Sequence, residues 1–218
     1  KLMARYGPFR VERDKGISEI GVDMTQQSQF PDWAEELRNR YKSGEASLFL
    51  LYGNVRDLQP WRNESGATEY LELQGFLQKF LKRAKDHVLY YNISDGLSVV
   101  GSSGSAVLSI FNSQRKGRGK GMYNALPSSP NKVLEFVETI ITDRDANAAV
   151  ILDYLETIVP MGDLSFMENE DKANIVRLQR WTSNFQIFNS DNLVIMVTEN
   201  LTEVHRRLLG CAQLATIT

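Results

Sequence analysis

Cysteine is almost absent. The 218-residue chain carries one, Cys211, so it cannot close an internal disulfide, and that usage fits a reducing, cytoplasmic compartment. Histidine is nearly as scarce. His87 and His205 are the only two, neither has a second His or Cys at ligand spacing, and no metal site is expected. Neither charge dominates: 25 Lys and Arg stand against 27 Asp and Glu, a net charge of −2, so no global field favours nucleic acid or a membrane surface. No apolar run approaches the roughly 18 residues of a membrane span, and the N-terminus has no apolar core of a signal peptide. There is no G-x-S-x-G, so the sequence gives no support for nucleophilic catalysis. Finally, no G-x-x-x-x-G-K-[ST] occurs, so the usual cradle of backbone amides for phosphate is missing together with its lysine.

What is present is an alternation of apolar strands and amphipathic helices. Pro31-Asp32-Trp33 opens a helix with Trp33, Leu37 and Tyr41 on one face and Gly44 as its stop. Leu48-Phe49-Leu50-Leu51-Tyr52 has no polar alternation and predicts a strand buried on both faces. A long loop is expected over 54–67, then a helix from Thr68 carrying Leu73, Leu77, Phe80 and Leu81. Val88 to Ile93 predicts a second strand, ending in the turn signal Ser94-Asp95-Gly96. Residues 97–131 read as irregular. Val133, Val137, Ile140 and Ile141 mark a helix, and Ala149 to Leu152 a third strand. The longest helix is expected from Asp171 to Asn189, with Glu168, Glu170 and Asp171 as its acidic first turn and Trp181 on its packing face. Leu193 to Val197 predicts a fourth strand, followed by a helix from Thr202. This order predicts an α/β fold with a mainly parallel sheet and helices on both faces. Ligands in such sheets sit beyond the carboxyl ends of the strands, here Gly53-Asn54, Ser94-Asp95, Asp153 and Thr198-Glu199-Asn200.

Two of those strand ends carry a family resemblance. Val150-Ile151-Leu152-Asp153, with Glu156 after it, resembles the Walker B strand of AAA+ ATPases. Val194-Ile195-Met196-Val197-Thr198-Glu199-Asn200 resembles the sensor-1 strand of the same family. The resemblance spans about residues 46–210 and implies a P-loop NTPase-like three-layer sandwich. It further implies ATP and Mg²⁺ as cofactors, Asp153 near the metal, Glu156 as the water-activating base, and Thr198 or Asn200 as the phosphate sensor. Arg206 and Arg207 match loosely the position of an arginine finger. The chain departs from the family in two places. Tyr154, not Glu, follows Asp153, and Gly53-Asn54 stands where a phosphate loop would be.

Three readings follow. The first is a degenerate AAA+-type domain serving assembly, regulation or partner binding in a larger ATP-dependent machine. The resemblance then implies self-association, a protein partner, or a second, competent AAA+ domain beyond Thr218. The second is a working ATPase, a nucleoside-triphosphate hydrolase, that uses Gly53-Asn54 as an unorthodox phosphate loop. The third is a nucleic-acid-associated module. It rests on Arg115, Lys116, Arg118 and Lys120, four cations in six residues interleaved with glycine, a composition that binds phosphate by charge alone. A flexible, solvated basic loop explains the same run. Residues 1–23 mix charges without periodicity and are expected to be a flexible arm or a vector-derived segment, with Met24 as the natural start and the domain over 24–218.

The basic run has no apolar periodicity to pack. Replacing Arg115, Lys116, Arg118 and Lys120 with Ser should therefore leave the thermal midpoint nearly unchanged. A fall of many degrees in a thermal melt would show that the run is packed or paired instead.

Overall fold

The computed structural model describes residues 30–63, 65–101, 105, 107–109, 112 and 124–218. The expected N-terminal arm and the basic run 115–120 lie outside the described residues.

Six strands form the central sheet: β1 (Leu48–Leu51), β4 (His87–Asn92), β5 (Gly96–Val100), β6 (Ala148–Leu152), β7 (Leu193–Val197) and β8 (Leu214–Ile217). Their spatial order is β5-β4-β6-β7-β1-β8. All neighbours run parallel except β4 and β5, which form an antiparallel hairpin. Strands β2 (Gln59–Arg62) and β3 (Thr68–Leu71) make a separate hairpin beside the sheet.

The apolar strands are buried throughout because helices cover both faces. Successive side chains point to opposite sides. Leu50, Leu89, Val150 and Met196 enter one core, and Phe49, Tyr90, Ile151 and Ile195 the other. Helices α3 (Pro130–Ile141), α4 (Asn169–Thr182), α5 (Phe185–Phe188) and α6 (Arg206–Leu209) contribute to the first core. Helices α1 (Asp32–Lys42) and α2 (Leu73–Lys82) contribute to the second, where Phe30, Trp61, Phe76 and Phe80 meet edge-on, tilted or stacked.

The structure corrects several expected elements. The stretch Thr68–Leu71 is the strand β3, and α2 begins only at Leu73. The expected long loop holds β2, whose Trp61 is buried while Pro60 and Arg62 face out; an edge hairpin tolerates Pro60. Residues 96–100 pair with β4, because Asn92 Oδ1 accepts the amides of Ser94 and Asp95 at 2.9 and 2.7 Å and closes a tight turn. The long helix breaks at Ser183, and Asn184 caps a new short helix by accepting the amide of Gln186. The segment after β7 is a 3-10 turn, Leu201–Glu203, before the four-residue α6. The tail 214–217 is a strand paired with β1, with Leu214, Ala215 and Ile217 buried. Gly44 ends α1 as expected, at φ +74°, and Trp181 is buried on the packing side of α4.

His205 is structural. Its Nδ1 accepts the amide of Arg207 at the start of α6, and its own amide donates to the Val159 carbonyl. Burial, and then the nearby charges of Arg207 and Arg206, hold its pKa below the ordinary 6.5, against a hydrogen bond to the Gly162 backbone. The unfolded chain therefore takes up a proton that the folded chain resists, and stability falls as pH drops below 6.5. Protonation at Nδ1 would also remove the acceptor that caps α6. Thermal melts between pH 7.5 and 5.5 (about neutral to mildly acidic) should show a fall that is smaller in His205→Gln. Identical pH slopes for parent and variant would remove His205 from this role.

Candidate functional site

The connection from β1 runs over one face of the sheet to β4, and that from β7 runs over the other face past β1 to β8. Such a reversal opens a crevice at the carboxyl ends of the strands. The expected site residues Gly53, Asn54, Asp153, Thr198 and Asn200 all stand at that edge.

The loop after β1 uses its own amides. Tyr52 N–H donates to Ile217, and Gly53 N–H to the Glu199 carbonyl at 3.2 Å. Val55 N–H turns back to Gly53, and Asp57 N–H to Asn54. Gly53 sits at φ +95°, a turn conformation that favours glycine. The chain then enters the β2–β3 hairpin, and the next helix begins 22 residues after β1 ends, at Leu73.

This turn aims Arg56 back over the sheet edge. Its Nη1 and Nη2 each lie 3.1 Å from an oxygen of Asp153, a two-pronged fork on one carboxylate. Its Nε donates to Glu199 Oε1 at 3.0 Å, and its Cζ lies 3.9 Å from the centre of the Tyr154 ring. Partial burial works against the Arg56 charge. Hydrogen bonding and attraction from Asp153, with the bond to Glu199, outweigh it and hold the guanidinium's pKa above its usual value.

Asp153 is only 5% exposed and is saturated with donors. Besides the fork, Tyr90 Oη donates to Oδ2 at 2.7 Å and the amide of Tyr154 donates to Oδ1 at 2.8 Å. The last bond depends on the left-handed backbone of Tyr154, φ 53° and ψ 52°, which costs a non-glycine residue about 1–2 kcal/mol. The same conformation lays the Tyr154 ring against Arg56. Burial, together with the bond to Asp153, keeps Tyr90 protonated well beyond the usual phenol range, against the donor Asn92. Burial alone raises the neighbouring Tyr91 to about 12.

Glu156 is engaged separately. Its Oε2 accepts the hydroxyl of Thr198 at 2.7 Å, and Thr198 is fully buried. Asn200 caps the 3-10 turn: its Oδ1 accepts both the amide and the hydroxyl of Thr202. Arg206 and Arg207 are exposed at the start of α6, and neither lines the cleft beside Asp153. That cleft, about 670 Å³, is bounded by Val55, Arg56 and Leu58, the N-terminus of α2, the end of β4 with the turn after it, and Asp153, Tyr154 and Thr157. Among the described residues no group of three His, Cys, Asp or Glu could hold a metal ion.

Sequence reasoning named Asp153 and Thr198 but missed Arg56 and Tyr90. No local signal marked either one, since Arg56 and Tyr90 meet Asp153 across 97 and 63 residues of sequence.

The model of the family described as AAA+ chaperone, N-terminal Rossmann-like domain, matches residues 23–218. No curated protein matches the chain. Among solved structures, a chain of the HORMA:CdnC:Trip13 complex of E. coli MS115-1 aligns at 14% identity and TM-score 0.45, over 86% of this chain and 55% of that one. This chain thus spans little more than half of that structure's length. The N-terminal domain of zonular occludens toxin from Neisseria meningitidis aligns at 14% identity and TM-score 0.32, over 76% of this chain and 73% of that one.

The Arg56–Asp153 pair should be strongly coupled. Arg56 is one third exposed, so each of Arg56→Met and Asp153→Asn should cost about 1–3 kcal/mol, below the 3–5 kcal/mol of a fully buried pair. A double-mutant cycle by urea unfolding should give a coupling of about 1 kcal/mol or more. Additive effects would show that the fork contributes nothing to stability.

Proposed function

The chain belongs to the AAA+ chaperone N-terminal, Rossmann-like domain family, and from that premise we propose that it is a degenerate AAA+ domain. Its work is assembly, regulation or partner binding within a larger ATP-dependent machine, with weak or no nucleotide binding of its own. The observation that carries this reading is the Arg56 fork on Asp153. The family implies ATP and Mg²⁺, and the residues here suit neither. A metal ion at Asp153 would meet a guanidinium already bound to both carboxylate oxygens. Phosphate would need several inward-pointing amides at a helix start, yet those of Gly53, Val55 and Asp57 are spent on the chain's own carbonyls.

The working-ATPase reading keeps one observation in its favour: Asp153, Glu156 and Thr198 do stand at adjacent strand ends. It requires Arg56 to release Asp153 and Glu156 to release Thr198 before either carboxylate could act. The nucleic-acid reading rests on residues outside the described ones. Among the described residues no helix is long and apolar enough to cross a membrane. Self-association and a second AAA+ domain belong to this proposal as expectations of the family, and a cytoplasmic location as the expectation from cysteine usage.

Calorimetric titration with Mg-ATP is the test. The expected dissociation constant is on the order of 1 mM or weaker. Micromolar binding, or hydrolysis that disappears in Asp153→Asn, would replace the degenerate reading with the working ATPase.

A further inference from the structure

Of the large apolar side chains that stand exposed among the described residues, three border one cavity. Leu58 is 58%, Ile93 52% and Tyr154 41% exposed, and all three line the 670 Å³ cleft beside Asp153. They come from three different segments: the loop after β1, the end of β4 and the end of β6. An apolar rim of this kind on a concave surface is a mark of a binding site rather than of ordinary surface.

The charges in the same cleft are unbalanced. Arg56 is the one cation in its lining, and the Asp153 fork and the bond to Glu199 hold it. Glu72 and Asp95 line the cleft from the α2 side and the β4–β5 turn, and both are exposed. Glu72 precedes α2 without capping it by its side chain. Asp95 Oδ2 accepts the side-chain amide of Asn92 at 2.8 Å, and the exposed carboxylate keeps acceptor capacity toward solvent. A bound group therefore meets apolar walls and two outer carboxylates, over a floor whose guanidinium is already neutralised. An anion, including a nucleotide phosphate, is poorly served; a cation next to an apolar side chain is well served.

We infer that this cleft docks a short basic–apolar segment of a partner protein, with Leu, Ile or an aromatic side chain against Leu58, Ile93 and Tyr154 and a flanking Lys or Arg toward Glu72 and Asp95. This rests on the partner-binding part of the proposed function and gives it a place. The Arg56–Asp153 fork is the floor between the apolar walls, and Arg56 backs the Tyr154 ring.

The test is selection of random short peptides displayed on phage against the immobilised chain. Winners are then titrated by fluorescence anisotropy against the parent, Leu58→Ser/Ile93→Ser and Glu72→Gln/Asp95→Asn. All four changed residues lie at or near the surface, and a thermal melt confirms that each variant is folded. The expected winners pair Lys or Arg with an apolar residue and bind each double variant about tenfold or more weaker. No enrichment, enrichment of acidic peptides, or binding that survives both double variants would overturn the proposal. So would dimers in sedimentation that vanish in Leu58→Ser/Ile93→Ser, which would make a second copy of the chain the occupant. Tighter peptide binding after Arg115, Lys116, Arg118 and Lys120 are replaced with Ser would overturn it in favour of the chain's own basic run. Micromolar Mg-ATP binding would discard the degenerate reading without touching the peptide result, so the two failures are distinguishable.

Discussion

A carboxylate at the buried end of a central strand needs a cation or an array of donors, because an isolated charge there is heavily penalised. Asp153 has both, and much of the carboxyl edge of the sheet is organised by how they are supplied. Arg56 reaches it from the loop after β1, Tyr90 from β4, and the Tyr154 amide through a left-handed turn. Through its Nε the same guanidinium also holds Glu199, just beyond β7. One ionic centre thus ties together the ends of β1, β4, β6 and β7. A lysine could not replace it. An ammonium would offer one point charge, whereas the guanidinium forks one carboxylate, bonds a second and stacks on a ring at once.

The parts of this arrangement that were legible in the sequence are those set by period and burial. Runs such as Leu48-Phe49-Leu50-Leu51 and Ala149-Val150-Ile151-Leu152, apolar without alternation, pointed to strands covered on both sides, and their alternation with amphipathic helices to the parallel α/β sheet. Asp153 was legible because a carboxylate closing such a run breaks the apolar pattern. The tail Leu214-Ala215-Thr216-Ile217 was not, since four residues without a turn signal carry too little pattern, and only its pairing with β1 makes it a strand. The β2–β3 hairpin was not legible, because the Asn, Pro and Gly of residues 54–67 read as a loop and Thr68 as a helix start, while the short hairpin stands apart from the main sheet. Glu156 and Thr198 were each named, but their mutual hydrogen bond spans 42 residues of sequence and no local pattern encodes it.

Arg56 was illegible for a deeper reason. A single arginine in a polar loop has the same local signature whether it is solvated or anchored. Its partner lies 97 residues away, and its direction is set by the turn at Gly53, which follows from the bond between the Gly53 amide and the Glu199 carbonyl. The absence of a phosphate-binding motif showed what the loop does not contain. Only the fold showed what the loop does with its amides and its one cation.

These two findings bear on each other. In a domain that cycles with a nucleotide, the positive charge facing a strand-end carboxylate arrives with the ligand and leaves with it, so the geometry of the edge depends on occupancy. Here the charge belongs to the chain. Arg56 cannot dissociate, its pKa is held above an already high value, and its ring contact with Tyr154 adds a further restraint. A guanidinium carried on the chain's own loop favours one arrangement of the β1, β6 and β7 ends without needing a ligand to supply the charge. A fixed edge of this kind can serve as a platform but is poorly built to be a switch. On the degenerate reading proposed above, a response to nucleotide would come from elsewhere in the larger machine, through contacts that this edge presents.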